Sequence, residues 1–144
     1  MKILIELYDR EPIFNYLATT FYRPEKVYFV GGKRTVSPRC KAKTERFAKI
    51  MGIESEFVYR AVKSPDFADI KAELESIINE EKAKGNNCVI DVTGGHDLAL
   101  VAAGGLIGDG TDIIRLDRKN SRYILLPENK SVEFDAKISC ESFI

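Results

Sequence analysis

Cys88-Val89-Ile90-Asp91-Val92, Thr93-Gly94-Gly95-His96-Asp97 and Leu98-Ala99-Leu100-Val101-Ala102-Ala103-Gly104-Gly105-Leu106-Ile107-Gly108 form one continuous stretch. Its first five residues are apolar or small around one polar side chain, the pattern of a buried central strand. The last eleven predict a helix that is apolar almost all round, and so a buried one. Two glycines make the turn between them tight. Such a turn points free backbone N–H groups outward, with the positive end of the helix dipole behind them. That arrangement is an anion-binding nest.

The chain is 144 residues long, enough for one domain with a real core. A 44% hydrophobic content excludes a disordered chain. Lys+Arg and Asp+Glu both number 22, so the formal charge is zero. A protein that grips long DNA or RNA by its phosphates carries a basic excess, and this one does not. A small anion held by backbone amides and a few local cations is compatible with the balance. Cys40, Cys88 and Cys140 are far apart, and there is one histidine, so no metal site is expected. Cys88, at the start of the strand, reads as a small core residue. No cofactor-binding signature is present. No signal peptide is expected, because the chain enters a strand at once, and the longest apolar run is too short to cross a bilayer. The expected setting is cytoplasmic.

Working outward, residues 2–8 predict a first strand. Pro12 suits the first position of a helix whose stripe is Ile13, Phe14, Leu17, Ala18 and Phe21. Residues 27–30 are a second strand, ending in Gly31-Gly32-Lys33-Arg34. Ser37 caps a second helix that opens on Pro38, has Phe47, Ile50 and Met51 as its inner face, and stops at Gly52. Residues 56–62 are a third strand. Ser64-Pro65-Asp66 repeats the cap-and-proline signal before a helix with Phe67, Ile70, Leu74, Ile77 and Ile78 on one face and Gly85 at its end. After the opening segment, residues 112–116 and 123–126 predict an antiparallel hairpin. Val132, Phe134, Ala136 and Ile138 alternate as one more strand. Gly104-Gly105 either end the fourth helix or mark a very close approach to it.

Four strand–helix alternations predict an α/β fold: a Rossmann-like three-layer sandwich, its central sheet mainly parallel and finished by a C-terminal antiparallel hairpin and edge. The domain should cover residues 1–138, with 139–144 a tail or the start of a linker. The usual winding sets the first and fourth strands side by side, where chain direction reverses. The crevice at their carboxyl ends is then lined by residues 8–11 and 93–97. The turn at residues 93–97 is therefore both the anion nest and one lip of the central crevice.

Several features have two readings. Thr93-Gly94-Gly95 is either a bare tight turn or an anion site with Thr93 as a hydroxyl donor. It is neither a dinucleotide fingerprint nor a P-loop, because neither glycine pattern is present. His96 can be a general base, a ring that stacks on a base, or a polar residue in a first helical turn. No Gly-x-Ser-x-Gly elbow accompanies it. Asp91 reads as a strand-end cap or turn acceptor, and Asp97 as a partner of the helix N-terminus. Gly31, Gly32, Lys33 and Arg34 form a second candidate phosphate site, or a solvated basic loop. Arg10 stands at the crevice, while Asp9 and Glu11 would repel an anion unless they meet ribose hydroxyls or amino groups. Arg39, Lys41, Lys43 and Arg46 read as a wet helix face, and Arg118 and Lys119 as a solvated hairpin turn.

A strand, then Asp91-Val92-Thr93-Gly94-Gly95, then a buried helix resembles the CRISPR-associated Rossmann fold (CARF) domains, above all those at the N-terminus of CARF–nuclease fusions in type III CRISPR systems. The resemblance covers most of residues 1–138. It implies a homodimer that binds a cyclic oligoadenylate second messenger across its two-fold axis in antiviral signalling. It further implies that Tyr8, Asp9, Arg10, Thr93, Gly94, Gly95 and His96 line that site. A symmetric dimer presents every donor twice, so one nest on a neutral subunit suffices for a two-fold ring. Ala102, Ala103, Gly104 and Gly105 would allow close helix approach at the dimer seam. The sequence leaves no room for a fused effector, so the chain is expected to be either a sensor domain or a free-standing protein. The alternative activity is a metal-independent ring nuclease that positions a ribose 2′-hydroxyl in line with the phosphate, with Lys33, Arg34 and His96 as helpers.

Overall fold

Strand β1 (Ile3–Leu7) runs through the middle of a seven-stranded sheet. The computed structural model describes residues 1–8, 13–34, 36–64, 66–108, 110–117 and 119–133. The elements that follow are α1 (Ile13–Tyr22), β2 (Lys26–Gly32), α2 (Pro38–Met51), β3 (Glu56–Val62), α3 (Phe67–Ala83), β4 (Cys88–Asp91), α4 (Asp97–Gly104), β5 (Asp112–Asp117), β6 (Arg122–Leu126) and β7 (Lys130–Glu133). The strand order is β3-β2-β1-β4-β5-β6-β7. The first five strands are parallel, and β6 and β7 close the sheet antiparallel. The expected α/β sandwich, with β1 beside β4 at the reversal of chain direction, is the fold found.

Strand alternation divides the core into two faces. Ile3, Ile5, Leu7, Tyr28, Val30, Cys88 and Ile90 pack with α3 and α4. Leu4, Val27 and Phe29 pack on the opposite face with the helical residues Leu17 and Tyr16 and with Phe47. Each large apolar side chain so buried contributes on the order of 1.5–3 kcal/mol. Cys88 is a core residue as expected, and burial pushes its thiol up to about 12.

The caps were partly legible. Ser37 accepts a hydrogen bond from the N–H of Cys40, and Gly52 closes α2 in the left-handed region at φ 68°. For α3 the cap is Asp66, which accepts from the N–H of Asp69, and not Ser64. Asp66 stands directly before the helix, where a side-chain oxygen can reach its free N–H groups, and Ser64 lies two residues too early.

Three expectations of burial fail. Ile50 is 75% exposed, because Thr44 and Ala48 form the inner line of α2. Phe67, in the first turn of α3, is 41% exposed. Helix α4 is not buried all round: Ala99, Ala102 and Ala103 face inward, while Leu98 and Val101 are 46% and 63% exposed. Small alanines let α4 sit close against the sheet and α3, which leaves its larger residues outside. The helix ends at Gly104, where an added Cβ would meet nothing within 4 Å, so the glycines mark a terminus and not a close approach inside the fold. Val132 is exposed with the rest of β7. Phe134, Ala136 and Ile138 lie outside the described residues, as do Pro12, Arg118 and the 138/139 boundary.

Candidate functional site

The turn from β4 into α4 is built from its own side chains. Asp91 is fully buried at the end of β4. Its Oδ1 accepts from the Thr93 N–H at 2.9 Å and from the Thr93 hydroxyl at 2.5 Å. The hydroxyl oxygen in turn accepts from the N–H of Leu116, on β5, at 2.8 Å. Asp91 is thus the turn acceptor that its position suggested. Thr93 corrects an expectation: its hydroxyl ties the turn to β5 and is spent inside the fold.

Gly95 carries the chain over Leu7. A Cβ on Gly95 would lie 2.9 Å from Leu7 Cδ1 and 3.1 Å from Leu7 Cβ, so this position needs the missing side chain for a close approach. His96 is the N-cap residue of α4, at φ −82° and ψ 170°, and makes no side-chain cap bond. With no side chain capping it, the first turn of α4 presents backbone N–H groups at its positive end.

This end of α4 opens on a cleft of about 520 Å³ on the α3/α4 face of the sheet. Buried apolar residues form its floor: Leu7, Val30, Val62, Ile70 and Ala99. Gly95, His96 and Leu98 form one wall, and Gly31 and Gly32 with the exposed Lys33 and Arg34 form another. Lys63, exposed at the end of β3, completes the rim. The result is an apolar base with three cations, Lys33, Arg34 and Lys63, along its rim.

Placement of the expected residues is mixed. Gly95, His96, Gly31, Gly32, Lys33 and Arg34 come together here, although they derive from two stretches far apart in sequence. The glycines at 31 and 32 are not a free nest, because they belong to β2 and pair with Ala61 and Val62 of β3. Gly94 is part of the turn but not of the cleft wall. Tyr8 borders the cleft, yet its phenol projects to the other face, where its oxygen lies 2.6 Å from Thr44 Oγ1 and 3.2 Å from Tyr16 Oη. Burial pushes that phenol well above the ordinary tyrosine range. Asp9 and Arg10 lie outside the described residues. Sequence reading missed Lys63, Val62 and Ile70. A doubly wound sheet puts the β3–α3 junction beside the β2 end, so the topology alone could have pointed to them.

Another feature escaped the sequence: Glu6, directly opposite Asp91 in the β1·β4 register, is 0% exposed. Asn15 donates to its Oε2 at 2.9 Å and Thr19 to its Oε1 at 3.2 Å. Burial first, then the neighbouring Asp91, pushes the Glu6 carboxyl well above the usual carboxylate range. Burial likewise raises Asp91.

Fold and site together define a doubly wound α/β domain with a cation-rimmed cleft at the carboxyl ends of its parallel strands. No protein-family model matches the chain, and no curated protein matches it. Solved structures do. Can2 from Sulfobacillus thermosulfidooxidans, in complex with cyclic tetra-adenylate, superposes with a TM-score of 0.75 at 18% identity, over 96% of this chain and 39% of that one. Protein VC1899 from Vibrio cholerae gives 0.70 at 16% identity, over 94% and 36%. A type III CRISPR defence DNA nuclease activated by cyclic oligoadenylate gives 0.67 at 17% identity, over 92% and 20%. The chain therefore spans well under half the length of each of these proteins. At such identities the likeness is one of fold. That fold is the doubly wound α/β sandwich that the order of elements predicted.

Proposed function

We propose that the chain is a sensor domain that binds a cyclic oligoadenylate in the α3/α4 cleft, as a two-fold homodimer, in type III CRISPR antiviral signalling. The observation that carries this reading is the cleft itself. Its apolar floor suits an adenine face, and its rim of Lys33, Arg34 and Lys63 with the α4 N-terminus suits phosphate. Zero net charge fits a small anionic ring better than a nucleic-acid polymer. Two solved proteins of the same fold are described as complexed with, or activated by, such a ring.

The dimer seam falls on the outer side of α4. Leu98 and Val101 are exposed there one turn apart, and Gly104 follows with open space over its Cα. Leu98 also borders the cleft, so a partner on this helix would bring two clefts near one axis. Ala102 and Ala103, expected at a seam, are spent inside the subunit.

Titration calorimetry with cyclic tetra-adenylate and cyclic hexa-adenylate, beside sedimentation of the free chain, tests the reading. Heat with one ring at half a ring per chain is the expected result. No heat with either ring, from a chain that sediments as a monomer, overturns it. Recovering a labelled ring intact after incubation separates a sensor from a ring nuclease.

A further inference from the structure

We propose that Glu6 and Asp91 share a single proton, and that this proton holds the β4–α4 turn in the shape that faces the ligand. Both carboxyls are completely buried and lie opposite each other in register. Glu6 accepts from the neutral donors Asn15 and Thr19 of α1. Asp91 Oδ1 accepts twice from Thr93, while Asp91 Oδ2, equally buried, receives no donor. From β2 the residue in register with Glu6 is Phe29, and β5 contributes the Leu116 N–H that bonds Thr93. The cations at the far ends of these strands are engaged elsewhere, Lys2 on the Tyr22 carbonyl and Lys26 on Glu81. Among the described residues no cation reaches the pair.

Two adjacent buried carboxylates without a cation cannot both stay ionised, because desolvation and mutual repulsion each cost too much. One proton resolves both faults. Carried by Glu6, it supplies the donor that Asp91 Oδ2 lacks and leaves Asp91 ionised for its two bonds from Thr93. The raised carboxyl of Glu6 agrees with this assignment. Glu6 and Asp91 are therefore positioning residues: they touch no ligand, and act through Thr93 on Gly94, Gly95 and His96.

The first part of the test needs no ligand. Infrared difference spectra of the full chain near neutral pH, wild type against Glu6→Gln, should show a protonated carboxyl band that the variant lacks. Absence of that band in the wild type overturns the proposal. The second part compares two substitutions of similar length. Glu6→Gln keeps a donor toward Asp91 Oδ2 and should leave the amide resonances of Thr93, Gly94 and Gly95 in place. Glu6→Met removes the donor and should move them. Equal spectra for the two variants overturn the proposal, and a Met variant that fails to fold beside a folded Gln variant supports it.

The effect on affinity rests on the cyclic oligoadenylate reading. With cyclic tetra-adenylate as the probe, Glu6→Gln should bind within about threefold of wild type, and Thr93→Val should bind roughly tenfold more weakly. Raising the pH should weaken the wild type more than Glu6→Gln. An equal effect of pH on both proteins counts against the proton. If the wild type binds no ring while the carboxyl band and the Gln–Met contrast are present, the ligand reading fails and the shared proton stands.

Discussion

Gly95 and Thr93 show how little of the site's turn is free to vary. An alanine at 95 must displace Leu7, whose Cβ as well as its Cδ1 stands in the way, and the Leu7 backbone belongs to the central strand. Gly95→Ala should cost about 1–3 kcal/mol in chemical denaturation, the usual range for overpacking, and should abolish the proposed ring binding in calorimetry. Thr93→Val keeps the shape but removes one donor from Asp91 and the acceptor of Leu116 N–H. Leaving such groups unpaired should cost about 1–3 kcal/mol, read as a lowered melting temperature. A threonine before two glycines at a strand end looks like a ligand donor, because sequence shows that a hydroxyl is there and not which way it is spent. Glu6 was invisible for a related reason. In Ile3-Leu4-Ile5-Glu6-Leu7 it looks like the one polar position of a strand, and nothing local shows that a helix will cover it.

Among the elements, α4 departs most from its sequence. Its apolar content predicted burial all round, but composition reports the sum over the helix and not which side docks. Alanines take the inner side because they permit close approach, and Leu98 and Val101 are left outside. Val101→Lys should therefore leave the subunit's stability within about 0.5 kcal/mol, and in sedimentation velocity it should convert the proposed dimer to monomer. A dimer that persists in this variant places the seam elsewhere. Helix boundaries were legible wherever a residue has only one structural use: Pro38 behind Ser37, and Gly52 in the left-handed region. Gly52→Ala should cost about 1 kcal/mol by thermal unfolding, since alanine resists that conformation. Ile70 of the floor and Lys63 of the rim were missed because they belong to an ordinary strand-to-helix junction, brought to the cleft only by its neighbours in the sheet.

At the scale of the whole molecule, the strand order was readable from four strand–helix alternations, and with it the end of the sheet where the cleft lies. Its exact side was not readable, because the α3/α4 face is favoured by packing and not by any motif. The buried acid pair adds a dependence on pH. The folded chain holds the Glu6 proton more tightly than the unfolded one, whose carboxyl has the ordinary value of 4.5. Stability should therefore fall as pH rises from about that value toward the raised one, by at most about 1.4 kcal/mol per pH unit for one proton. Glu6→Gln should flatten this slope in urea titrations at a series of pH values. A wild-type stability that climbs over the same range in a way that depends on Glu6 would contradict the sign. The grading of burial across the sheet has a separate kinetic consequence. β1 is buried along its whole length and flanked on both edges, whereas all four residues of β7 are exposed and this strand pairs with β6 alone among the described elements. Amide protons should then exchange with solvent deuterium in a gradient, slowest in β1 and β4 and fastest in β7. The outer hairpin would open many times for each global unfolding event, while the strands that carry the turn open only with the molecule as a whole.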